Sequence, residues 1–185
     1  YDLIAQGVGL VAMVFGILSF QGKSAKTIII MQFCAGVLFA VNYYMIGAYL
    51  ASILNVVAVL RALLFLKKDR FHAVSNWWLL AFLVLYVGAY VLSFTVFGQK
   101  ASVKNLLLEL TPVIAMTALH LGMQRDSAKM IRRFGLVASA GWLVYNVANV
   151  AIGAVLCEAF ALISNVSAMI RLDGLFRKNN AKRVG

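Results

Sequence analysis

The sequence predicts an all-α integral membrane protein, with seven transmembrane helices forming two parallel three-helix bundles joined by a linker helix. Three observations carry this. Hydrophobic residues make up 63% of the 185 and charged residues only 12%, with a mean hydropathy of +0.91. Seven apolar runs follow one another with brief polar breaks, and the first three resemble the last three. A soluble domain of this size has too little interior for that much apolar side chain. Crossing about 30 Å of hydrocarbon takes roughly 20 helical residues, so seven spans would use most of the chain and leave little for a soluble catalytic domain.

The runs are Leu3–Phe20, Thr27–Ile46, Ala48–Leu66, Asn76–Phe97, Asn105–Gly122, Phe134–Ile152 and Ala154–Leu172. The first has no basic segment ahead of it and continues into a multi-span pattern, so it is expected to be a helix of the mature protein rather than a cleaved signal. Between the runs lie QGKSAK, a turn at Gly47, KKDRFHAVS, GQKASVK, MQRDSAKMIRR, a turn at Gly153 and a basic tail. Glycine suits the two uncharged turns because it accepts positive φ at a helix exit. Cys34 and Cys157 sit inside apolar runs with no metal-ligand or disulfide spacing, and are expected to be packing residues.

Alternate loops divide the cations unevenly. One side collects thirteen, Lys23, Lys26, Lys67, Lys68, Arg70, Arg125, Lys129, Arg132, Arg133, Arg177, Lys178, Lys182 and Arg183; the other collects Lys100 and Lys104. The positive-inside rule then puts the amino terminus outside and the carboxy terminus in the cytoplasm. The net charge of +11 is accounted for by topology and lipid headgroups, with no nucleic-acid partner required. Arg61 and Arg171 fall inside the third and seventh runs, near their cytoplasmic ends, where long side chains can snorkel.

Displaced by 103 residues, Leu3 meets Leu106, Ala12 and Met13 meet Ala115 and Met116, Gln21 meets Gln124, and Ser24-Ala25-Lys26 meets Ser127-Ala128-Lys129. After small insertions Asn42 falls opposite Asn146, Gly47 opposite Gly153, Asn55 opposite Asn165 and Arg61 opposite Arg171. The kept order argues for duplication of a three-helix unit. The fourth run is unmatched, and an odd linker makes the two units lie parallel in the membrane, a 3+1+3 plan known among transporters that hold substrate near the midplane. The chain divides into residues 1–66, a linker with the fourth helix at 67–100, and residues 101–185, within one membrane domain.

This plan resembles the superfamily of SWEET sugar carriers, PQ-loop proteins and PnuC vitamin-precursor transporters. More closely, AQGVGLVAMVFGILSF at Ala5–Phe20, LTPVI at Leu110–Ile114, and the stretch from Trp142 through Asn146 and Glu158 to Asn165 and Arg171 resemble YgjV-type bacterial inner-membrane proteins. The wider resemblance implies a gating role for Gln21 and Gln124, which match the glutamine of the PQ motif, and a pocket role for Asn55 and Asn165. The motif proline is replaced by Phe20 and Met123, so a proline hinge is not implied there. The positions of the pocket tryptophan hold Phe39 and Asn149, so sugar stacking is not implied.

Buried amides need hydrogen-bond partners, and Asn55 and Asn165 recur near mid-span; interhelical bonding and substrate contact both account for them. Asn42, Asn146 and Asn149 lie near outer helix ends, where an amide faces either water or solute. Glu109 and Glu158 are the carboxylates within the spans, each about one turn from an outer end. The helix dipole favours them there; proton or ion coupling is the functional alternative. Glu158 and Asn165, seven residues apart, share a helix face. Pro112 should kink the fifth span, as hinge or as shape. Trp142 and Tyr145 suit packing or stacking on a planar solute, Trp77 and Trp78 an interface belt, and His120 a satisfied polar site. Gly7, Gly9 and Gly16 would let the first helix pack closely.

No HExxH, CxxC or phosphate-cradling glycine loop occurs, so neither an enzyme nor a cofactor or metal is expected. The expected function is a carrier moving a small polar solute by alternating access, with a receptor or assembly protein of the same fold as the alternative. The lipid bilayer and the solute are the expected partners; a homodimer is open, because one chain already holds both halves of a pore.

Overall fold

The computed structural model describes residues 2–45, 49–148 and 152–174. Among them the chain is all helix: α1 (Asp2–Ser19), α2 (Ala25–Met45), α3 (Tyr49–Leu66), α4 (Lys68–Phe71), α5 (Asn76–Thr95), α6 (Val103–Gln124), α7 (Ala128–Ala148) and α8 (Ile152–Asp173). Asn149, the turn at Gly47 and the basic tail from residue 175 lie outside the described residues. Gly153, expected in a turn, belongs to the opening of α8.

Among the described residues four stretches are long and apolar enough to cross a membrane, Ala25–Met45, Asn76–Thr95, Val103–Gln124 and Val155–Asp173; Ile4–Ser19 and Ala51–Leu66 are shorter apolar helices. α7 begins six residues before the expected Phe134 and takes in Lys129, Arg132 and Arg133, a correction to the expected loop. Arg132 can enter a helix among apolar neighbours because its guanidinium is paired with Asp173 at the end of α8. The expected loop KKDRFHAVS likewise contains α4, which ends at His72 in the left-handed region with φ 50°. Ser75 and Ser102 cap α5 and α6, their hydroxyl oxygens accepting from the backbone N–H of Trp77 and Asn105, which satisfies a donor the first turn leaves open.

Consecutive helices pack as antiparallel neighbours: α1 on α2, α2 on α3, α6 on α7 and α7 on α8. α5 lies against both α3 and α6, and α1 against α8. Lipid is as apolar as leucine, so close backbone approach and polar ties hold such helices together more than apolar burial does. A Cβ on Gly36 would stand 3.1 Å from Val59, and one on Gly141 3.1 Å from Ala115. Gly9 and Gly16 turn toward Asn42 and Phe39 of α2, as expected for a close-packing face, whereas Gly7 has nothing near it. Asn42 donates to the Ala5 carbonyl at 2.7 Å and Ser52 to that of Ala40 at 2.8 Å. The outward faces carry large apolar side chains such as Val14, Val84 and Ile163, as a lipid-facing surface requires.

α6 runs unbroken across Pro112. The missing proline N–H leaves the Leu108 carbonyl without its helical donor, and the Thr111 hydroxyl supplies one at 2.8 Å. A neighbouring side chain thereby satisfies a backbone group for which hydrocarbon offers no water.

Candidate functional site

A cavity of about 630 Å³ lies within the helix bundle, walled by α1, α2, α3, α6, α7 and α8, with no lining residue from α5. Most of its wall is apolar, but polar side chains gather in two places. Where α1 and α8 begin and α2 and α7 end, Gln6, Asn42, Tyr43, Asn146 and Glu158 face it; toward the other ends of these helices Gln32 and Arg61 do. Asn55 lines the wall between. Ser139 of α7 also lines it. Among the described residues the cavity therefore presents one carboxylate and one guanidinium, on different helices and at opposite ends.

Of the residues expected to contact solute, Asn55, Asn146, Glu158 and Trp142 line this cavity. Asn165 does not: it is fully buried, and its amide nitrogen donates to the Arg132 carbonyl at 2.8 Å, tying α8 to α7. The Asn55 amide donates within its own helix to the Ala51 carbonyl at 2.8 Å. Trp142 and Tyr145 meet edge to face with ring centroids 5.8 Å apart. Tyr145 belongs to a separate recess of about 10 Å³ shared with Glu109 and Pro112. Glu109 is buried two turns into α6 rather than one, and Tyr145 is its hydrogen-bond partner.

The two glutamines expected to gate lie at one end of the bundle, amid most of the connecting cations. Gln21 donates to the carbonyl and hydroxyl of Ser164 at 2.7 and 2.8 Å, and its own carbonyl accepts from Arg171. Ser164 donates in turn to the Ile17 carbonyl at 2.7 Å, so α1 and α8 are fastened here by several polar ties. Gln124 donates to the Ser75 carbonyl at 3.4 Å, a longer and weaker tie between α6 and the start of α5. Arg132 donates to both carboxylate oxygens of Asp173 and to the Gly22 carbonyl at 2.8 Å. Phe20 and Met123 are buried and form part of the cavity wall at this end.

Three features escaped the sequence reading. Gln32 and Arg61 line the cavity; each is a lone polar residue in an apolar run, and Arg61 was read as snorkelling although it is 2% exposed. His120, expected to be hydrogen-bonded, is buried with neither ring nitrogen partnered among the described residues. It packs instead between the rings of Phe65 and Phe82, with centroids 5.1 Å away in each case. Trp78, placed in an interface belt, donates its indole N–H to the Phe71 carbonyl at 2.8 Å, while its neighbour Trp77 is largely exposed.

An apolar bundle with a part-polar cavity is what a membrane protein that handles a hydrophilic molecule needs. No curated protein and no solved structure matches the chain. A family model described as a bacterial inner membrane protein, Imp-YgjV, matches residues 3–175, a span that takes in every helix and every wall of the cavity, and the chain belongs to that family.

Proposed function

We propose that this protein carries a small polar solute across the bacterial inner membrane by alternating access. The moving parts are the three-helix units at 1–66 and 101–185, arranged in parallel about the linker helix α5 in the SWEET-like 3+1+3 plan. The observation that carries this reading is the cavity, whose walls come from α1–α3 and α6–α8 and not from α5. On the positive-inside assignment, the Gln21, Ser164, Arg171 and Arg132 ties close the cytoplasmic end and the amino terminus is outside. Asn55, Asn146 and Trp142 contact solute, Glu158 serves as its charge or coupling group, and Gln21 releases α8 when the cytoplasmic end opens.

Uptake into proteoliposomes across a panel of metabolites tests this. Asn55→Leu should reduce uptake of the transported solute while leaving the folded protein intact, because its amide ties no second helix. Asn165→Leu should cost stability, because it leaves the buried Arg132 carbonyl without its amide donor. Uptake unchanged by Asn55→Leu removes Asn55 from the site, and no uptake of any solute removes the carrier.

The second reading is a receptor or assembly protein of the same fold. It draws on the Asn55 and Asn165 amides already being engaged within the protein, and it expects ligand binding without net movement.

A further inference from the structure

We propose that Arg61 is an anion-binding group of the central cavity, and that the molecule it holds is a small solute bearing an oxyanion, a carboxylate or a phosphate. This deepens the carrier reading and rests on it for movement of the solute, though not for its capture.

Arg61 stands in the last turns of α3, 2% exposed, and lines the cavity. Its Nη1 donates to the Tyr86 hydroxyl and the Met116 carbonyl, both at 3.0 Å, while its Nε has no partner among the described residues. The ion pairs among the described residues are Lys68 with Asp126 and Arg132 with Asp173, and Arg61 is in neither. Glu109 lies in the separate recess with Tyr145, and Glu158 stands at the opposite end of the cavity. Two neutral acceptors orient a guanidinium without cancelling its charge, and an uncompensated charge inside a membrane bundle is costly. An oxyanion entering the cavity supplies the missing charge and fits the planar donor fork.

Gln32 adds a second open group. Its side-chain oxygen is buried and unpartnered, and it lines the same cavity. One turn along α2, Gly36 packs on Val59 and the Asn55 carbonyl. Because α2 and α3 run antiparallel, Gln32 stands level with the turn of α3 that carries Arg61, and its oxygen, open among the described residues, accepts from a hydroxyl or other donor beside the oxyanion. Arg171, the repeat counterpart of Arg61, is exposed and donates to Gln21. The two halves thus use the same residue differently: one arginine fastens helices, the other faces the cavity with a donor to spare.

The test uses the full chain in lipid nanodiscs with sodium lactate and sodium phosphate as probes, against glycerol and against potassium chloride at equal ionic strength. At least one anionic probe should raise the apparent melting temperature saturably and beyond both controls; whichever does so names carboxylate or phosphate as the preferred group. Arg61→Gln should abolish the shift, Arg61→Lys should weaken binding about tenfold, and Arg70→Gln, at an exposed cation outside the cavity, should leave it unchanged. The assignment is overturned when neither anion exceeds the controls, or when the shift persists in Arg61→Gln. Where Arg61→Gln does not fold, Arg61→Lys carries the comparison, and unchanged affinity there overturns the assignment. An anion that binds without uptake removes the carrier and leaves the Arg61 site. Uptake of a neutral solute at equal rates in wild type and Arg61→Gln removes the site and leaves the carrier.

Discussion

Replacing Arg132 by methionine should be among the most damaging single changes in this protein. The side chains of Arg132 and Asp173 are 3% and 5% exposed. The pair is bidentate, with Nε donating to one carboxylate oxygen at 2.8 Å and Nη2 to the other. Nη1 also holds the Gly22 carbonyl at 2.8 Å. Arg132→Met therefore strands a buried carboxylate and a buried carbonyl together, and breaking a buried pair in this way costs about 3–5 kcal/mol. Removing both charges is different: Arg132→Met with Asp173→Leu leaves no uncompensated charge, only the Gly22 carbonyl and, at a longer 3.4 Å, the Phe20 carbonyl, for which about 1–3 kcal/mol is expected. Equilibrium unfolding in mixed micelles, followed by circular dichroism, measures wild type, both single variants and the double as a cycle. A loss below about 1 kcal/mol in Arg132→Met would refute the buried pair. So would a double variant no more stable than the single, since the stranded charge would then not be the cause.

Gly122→Ala should destabilise by about 1–3 kcal/mol, because the new Cβ would stand 2.9 Å from Phe134 Cβ and 3.2 Å from Ile131 Cα, atoms that yield only if α6 and α7 part. Gly88→Ala, with nothing within 4 Å, should stabilise by roughly 0.5–1 kcal/mol through helix propensity; the same unfolding assay separates the two. The hydrogen bond to Asp126 raises the Lys68 pKa above its ordinary 10.5. Its contribution is then fully present at neutral pH and lost as pH rises through the raised value. The stability difference between wild type and Asp126→Asn should accordingly stay flat from about pH 6 to 9 and shrink only in stronger alkali, as melting curves across that range would show.

The hydropathy pattern located the helices because hydrocarbon leaves the backbone no other hydrogen-bond partner. Asn76 as the start of α5 and Leu66 as the end of α3 were legible residue for residue. The pattern failed at α7, where charge read as loop; what admits Arg132 to a helix is Asp173, 41 residues away. Spacing alone could not tell which polar residues share a space. Asn55 and Asn165 occupy matching repeat positions, yet one faces the cavity and the other bonds to Arg132. Arg61 and Arg171 divide in the same way. Sequence matching speaks to chemical identity and to depth along each helix, but a side chain's partners depend on how the helices turn against one another. That rotation is set by close contacts such as Gly36 on Val59 and Gly141 on Ala115, which exist only once all the helices are in place.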